Sequence, residues 1–182
     1  RLANTIKILA LKHCVITSVA RDDLEDQGAS FWAHTIRTIK RANPEITMEV
    51  LIPDFSNNQN LLDLVINEKP EVISHNIETV ERISPSIRSL ATYEKSLKVL
   101  NYISRSGLVT KSGFMLGIGE TEEEVLKTMD DLRLAGVNVL TIGQYLPPSE
   151  MHTKLVEYIK PEVFENYKKI GLSKGFKYVE SG

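Results

Sequence analysis

Residues 111–125 read KSGFMLGIGETEEEV, three glycines placed between an apolar run and a run of acids. Glycines at the entrance to a helix often cradle a phosphate. The order here, Gly113-x-x-x-Gly117-x-Gly119, fits neither the dinucleotide fingerprint nor the P-loop. Thr121 with Glu124 three residues on predicts a capping box, and Glu120, Glu122 and Glu123 crowd the same helix start. Those carboxylates occupy the positive end of the helix dipole and repel an anion. Gly119 then serves the turn into the helix. Gly113 and Gly117, in or at the end of a strand, signal close approach of another group, either a packed element or a flat ligand.

Other residue types narrow the chemistry. Asn76 and Glu78 lie two apart at a strand end, so both can point into one mouth; the competing reading makes Glu78 and Thr79 a helix cap. Lys111 sits inside an apolar strand, where an unpaired ammonium is costly to bury, so it requires a purpose or an exit to solvent. Cys14 is the only cysteine, which leaves no disulfide framework and no self-contained cysteine metal site. It reads as a buried structural thiol in a reducing compartment, the cytoplasm or an organelle. His13, His34, His75 and His152 show no HxxxH or HxH pair, and His75 reads as a packed or hydrogen-bonded core histidine.

These groups must be held by a soluble fold. The 182 residues are 42% hydrophobic and 25% charged, with a formal net charge of -2, as in one globular domain. No basic stripe suits nucleic acid and no apolar run approaches a membrane span. Strand-like runs at 13–19, 47–53, 71–77, 108–117 and 137–146 alternate with helical patterns at 30–42, 60–69, 92–107 and 122–136, and the first residues look like the middle of a helix. None of the strands alternates cleanly, which predicts burial on both faces. Repeated strand–helix units predict a parallel sheet with helices outside. Polar residues near the ends of successive strands (Ser18, Asn76, Lys111, Gln144) favour a complete or partial (β/α) TIM-type barrel over a doubly wound sheet.

The segment Gly113-x-Met115-x-Gly117-x-x-Glu120 is similar to the adenine-supporting strand of radical S-adenosylmethionine (SAM) enzymes. The blocks ITSVARDDLEDQGA, EVLIPDF, ISHNIET, TKSGFMLGIGET and LTIGQYLPPS resemble lipoyl synthases in order and spacing, over essentially the whole chain. The resemblance implies a single partial barrel over 1–182, incomplete at both ends. It also implies SAM, two [4Fe-4S] clusters whose cysteine and serine ligands lie outside this stretch, and insertion of two sulfurs into a protein-bound octanoyl group. The implied partners are an octanoylated lipoyl-carrier protein and an electron donor such as a ferredoxin or flavodoxin. Alone, the stretch is expected to be inactive.

The resemblance also distributes roles. Asn76 and Glu78 would bind the SAM ribose, Arg88 its carboxylate and Ser18 its amino group; otherwise Arg88 is an ordinary solvated arginine and Ser18 a common strand-end serine. Lys111 would face the SAM mouth, and Met115, Gly117 and Gln144 would lie by the adenosine. Asp22 would meet an amino group of SAM or substrate, while Tyr145 and His152 would stand on the octanoyl side. Ala20, Leu90 and Glu150 depart from the family pattern, replacing an acid, a basic residue and an arginine. Competing readings are a sulfur-inserting enzyme of biotin synthase type, a metal-free barrel using Lys111 as a Schiff-base nucleophile, and a non-catalytic module that binds a lipoyl-type carrier.

Overall fold

The computed structural model describes residues 1–88 and 90–182. Its elements are α1 (Leu2–Ile8), β1 (His13–Thr17), α2 (Ala29–Ala42), β2 (Thr47–Leu51), α3 (Gln59–Ile66), β3 (Val72–Ser74), α4 (Ser84–Ile87), α5 (Tyr93–Ser104), β4 (Val109–Leu116), α6 (Glu122–Leu134), β5 (Val139–Gln144), α7 (Pro161–Ser173) and β6 (Tyr178–Ser181). The six strands form one parallel sheet in the order β1-β2-β3-β4-β5-β6. Each new strand joins the same edge, whereas a doubly wound sheet reverses direction at a switch point. With right-handed crossovers throughout, that order places the helices on one side and curls the sheet into an arc of a barrel. Among the described residues β6 does not pair with β1, so the barrel is partial, as expected.

The two faces of the sheet differ. Cys14, Met48, Val50, Ile73, Phe114, Leu116, Leu140, Ile142 and Val179 are buried beneath the helices. Removing each large aliphatic chain from water contributes about 1.5–3 kcal/mol. The opposite, lumen-facing set begins at the β1 edge with Val15, 54% exposed, and includes Glu49, Ser74, Lys111, Gly113 and Met115. The expectation of burial on both faces is therefore corrected: an open arc has no far wall, and its lumen face stays partly wet. Cys14 belongs to the packed layer, and burial, followed by the charge of Glu71, pushes its thiol up, away from the reactive thiolate.

Helix ends follow local chemistry. Thr121 caps α6 by accepting from the Glu124 N–H, while the Glu124 carboxylate accepts from the Thr121 N–H at 2.8 Å, completing the predicted box. Thr92 caps α5 through the Lys95 N–H, which starts the helix where Ser96 meets His75 just after β3. The last helix and strand were not read from the sequence, although Pro161 at the helix start and Gly175 after its end are the expected punctuation.

Candidate active site

β3 is short because the chain bulges beyond it. His75 N–H still pairs with the Lys111 carbonyl, but Ile77 and Glu78 N–H both donate to the single carbonyl of Gly113, at 3.0 and 3.1 Å. Glu78 adopts φ +69, and its own carbonyl accepts from Met115 N–H at 2.9 Å. A bulge of this kind re-aims a side chain at a strand end, and a non-glycine residue at positive φ is tolerated only where its surroundings hold it. Asn76 and Glu78 are both half-buried and line one cavity, while Ile77 between them is fully buried. Gly113 makes room for this: a Cβ there would stand 3.2 Å from Asn76 Oδ1 and 3.1 Å from the Thr141 carbonyl.

The cavity has a volume of about 470 Å³ and opens at the C-terminal ends of β1–β3, where parallel barrels place their chemistry. Ser18, Asp22, Asn76, Glu78 and Arg88 all line it, together with Asp54, Lys95 and the departures Ala20 and Leu90. Burial raises the Glu78 carboxyl, opposed by Arg88 and by a hydrogen bond with Asn76. Burial lowers Arg88, opposed by Glu78 and Asp54. Arg88 forms no ion pair among the described residues; its Nη1 donates to the Asn76 carbonyl at 3.1 Å and to Ser96 Oγ at 3.0 Å. The pocket therefore presents both charge signs and an amide, a set suited to a ligand carrying a diol and an amino-acid end.

His75 forms part of this wall yet is almost wholly buried. Its Nδ1 is 3.0 Å from the Ile52 carbonyl and its Nε2 2.9 Å from Ser96 Oγ. A carbonyl can only accept, so Nδ1 carries the proton and Nε2 receives the serine hydroxyl's. Burial pushes His75 down to about 4, in keeping with a neutral ring.

Other predicted residues stand elsewhere. Lys111 lies in the lumen one alternation below Gly113, with Nζ 2.9 and 3.1 Å from the two carboxylate oxygens of Glu49, which also accepts from Ser74 Oγ at 2.7 Å. Its cost of burial is thus met within the chain. An ammonium clasped by both oxygens of a carboxylate has no lone pair free to attack a carbonyl, which weakens the Schiff-base reading. Met115 is half-buried on the same strand.

Gly117 and Gln144 meet the chain's own backbone. A Cβ on Gly117 would lie 2.5 Å from both Gln144 Nε2 and the Glu157 carbonyl. Gln144 donates to the Leu116, Tyr145 and Glu157 carbonyls and accepts from Ile159 N–H at 2.8 Å. The clearance at Gly117 is therefore filled by a strap, residues 146–160, which folds back on the strand end. Tyr145 is buried, and its hydroxyl donates to the Thr153 carbonyl of the strap at 2.8 Å, so it anchors the strap. His152 lies on the strap, 2.8 Å from Ser149 Oγ, beside a separate surface cavity. Glu120 accepts from the N–H groups of Gly117 and Ile118 at 2.6 and 3.1 Å, which takes up two of the donors a phosphate could have used.

Glu49 and Ser96 were missed. An acid within EVLIP and a serine on an amphipathic helix carry no local signal; only strand register and helix docking bring them to Lys111 and His75. Among the described residues no three histidine, cysteine or acidic side chains gather to hold a metal ion, and no helix is long and apolar enough to cross a membrane.

Comparison with known proteins agrees with this geometry. Residues 1–132 match the profile of the radical SAM superfamily. A lipoyl synthase of Treponema denticola is 59% identical over 181 residues, covering 100% of this chain and 62% of that protein. That of Parabacteroides distasonis is 57% identical over 180 residues, covering 99% and 64%, and the mitochondrial lipoyl synthase of Nematostella vectensis is 54% identical over 183 residues, covering 100% and 63%. The chain thus spans less than two thirds of the curated relatives it matches. In fold it is similar to methylornithine synthase, with TM-score 0.74 at 11% identity over 99% of this chain and 60% of that one. It is also similar to SAM-bound Streptococcus suis SuiB, with TM-score 0.70 at 8% identity over 93% and 39%.

Proposed function

The chain belongs to the radical SAM superfamily, and from that premise we propose that it is the SAM-binding barrel of a lipoyl synthase, which inserts two sulfur atoms at C6 and C8 of a protein-bound octanoyl group. The observation that carries the reading is the convergence of Asn76, Glu78 and Arg88 on one cavity at the strand ends. The relatives' names supply the substrate class.

The cavity's residues fit SAM. The Asn76–Glu78 pair, seated in the room that Gly113 leaves, suits a nucleoside, with the Asn76 amide and Glu78 carboxylate on its ribose hydroxyls. Arg88 takes the carboxylate, and Ser18 with Asp22 the amino group. When bound and given one electron by a reductant, SAM would break its C5′–S bond, release methionine and supply a 5′-deoxyadenosyl radical able to take hydrogen from an unactivated carbon. The role of this chain is to orient and enclose it: Met115 flanks the adenosine and the Glu49–Lys111 pair lies beneath. An iron–sulfur cluster does not fit the residues of this chain, whose one cysteine faces the helix layer. The two [4Fe-4S] clusters belong to the proposal for the whole protein, as do the octanoylated carrier, with His152 on its side of the mouth, and a ferredoxin- or flavodoxin-type donor.

The test uses the protein that carries this chain, reconstituted anaerobically with iron and sulfide. With SAM, reductant and an octanoylated carrier it is expected to release 5′-deoxyadenosine and add two sulfurs, and no deoxyadenosine would reject the assignment. Asn76→Ala is expected to weaken SAM binding about tenfold, the worth of one good hydrogen bond to a buried ligand, with cluster content unchanged. Sulfur added to dethiobiotin instead of the octanoyl chain would favour the biotin synthase type.

A further inference from the structure

We infer that His75 and Ser96 are positioning residues that lock Arg88 so that its Nε–Nη2 edge faces the cavity as a ready-made carboxylate fork. The inference rests on the SAM reading of the cavity and deepens it by assigning the device that holds the amino-acid end.

The protons along this chain of hydrogen bonds have one arrangement. The Ile52 carbonyl fixes the hydrogen of His75 on Nδ1, which leaves Nε2 a lone pair. Ser96 must then spend its only proton on Nε2. Its oxygen is left as an acceptor, and Arg88 Nη1 donates to it at 3.0 Å. The same Nη1 donates to the Asn76 carbonyl at 3.1 Å. With the Ile77 carbonyl at 3.5 Å, three acceptors thus pin one corner of a planar guanidinium. His75 is 2% exposed and Ser96 0%, so water cannot substitute for either link.

The opposite edge of the guanidinium, Nε with Nη2, donates to no described residue. Elsewhere in this chain that edge is the one that grips carboxylates: Arg21 holds Asp23 with Nε and Nη2, Arg37 holds Glu68, and Arg82 holds Glu124. Arg88 alone of these four keeps the fork open, and it does so on the wall of the cavity. Holding the guanidinium in advance lowers the entropy lost when a carboxylate docks.

The experiment compares two ligands on the reconstituted protein by calorimetric titration: S-adenosylhomocysteine, which carries the amino-acid carboxylate, and 5′-methylthioadenosine, which lacks it. Ser96→Ala is expected to weaken the first about tenfold, the scale of one charge-assisted hydrogen bond moved out of register, and to leave the second within about twofold. In an Arg88→Met background, Ser96→Ala should have no further effect on either ligand. Ser96→Cys, which keeps a weaker acceptor of similar shape, should fall between wild type and Ser96→Ala, and provides the same readout if the alanine variant does not fold. Equal weakening of both ligands would make Ser96 merely structural and overturn the inference, as would no change in either. A wild-type protein that binds neither ligand would instead remove the SAM reading, and this inference with it.

Discussion

The buried imidazole of His75 ties folding stability to pH in a way that one substitution can isolate. Burial pushes His75 down to about 4, against about 6.5 in an unfolded chain. Below pH 6.5 the unfolded state therefore binds the extra proton, and stability rises with pH. The contribution of the neutral ring is whole above pH 6.5 and is lost progressively as pH falls towards 4. At pH 5.5 the unfolded imidazole is mostly protonated while the folded ring is still almost wholly neutral. The linkage comes to about 1 kcal/mol lost between pH 7.5 and 5.5. His75→Gln keeps a donor for the Ile52 carbonyl and an acceptor for Ser96 but does not titrate. Urea denaturation of both proteins at the two pH values is the assay. Whatever the variant costs at pH 7.5, its deficit relative to wild type should shrink by about 1 kcal/mol at pH 5.5, because every other acid-sensitive group is shared. Parallel pH profiles for the two proteins would refute a neutral, proton-excluding ring.

The lumen pair and the strap supply two further tests. Lys111→Met strands the Glu49 carboxylate, which is 10% exposed against 27% for the lysine, and should destabilise the fold by about 2 kcal/mol, less than a fully buried pair because the lysine keeps partial contact with water. Adding Glu49→Leu should recover most of that loss in thermal denaturation, and a double variant as unstable as the single one would contradict the pairing. Gly117→Ala forces a Cβ to within 2.5 Å of Gln144 and the Glu157 carbonyl at φ +103, and should cost about 3 kcal/mol of strain. Limited proteolysis should then cut within 146–160, whereas an unchanged digestion pattern would mean that the strap is held by other contacts.

Much of the architecture follows from the order of residues. Alternating strand and helix patterns led to a parallel sheet, and polar residues at the ends of successive strands led to a barrel, because each such element has a local period and local punctuation. The capping box of α6, and with it the rejection of a phosphate loop, is likewise local: Thr121 and Glu124 meet within one turn. Asn76 and Glu78 were legible as a pair by their spacing alone. α7 and β6 carried the usual proline and glycine signals and went unread.

Only the tertiary structure decided which groups share an environment. Gly113 and Gly117 look alike in sequence, yet one leaves room beside Asn76 and the other is filled by Gln144 and a strap some forty residues downstream. Lys111 needed a partner, and strand register, bringing β2, β3 and β4 side by side, chose Glu49. His75 and Ser96 touch because α5 docks against β4, beside the segment that follows β3, a contact that spacing does not encode. Local chemistry follows the chain, where neighbours are set by helical and strand periods. The partners of buried charges and protons are set by packing, where residues far apart in sequence must satisfy one another because water cannot.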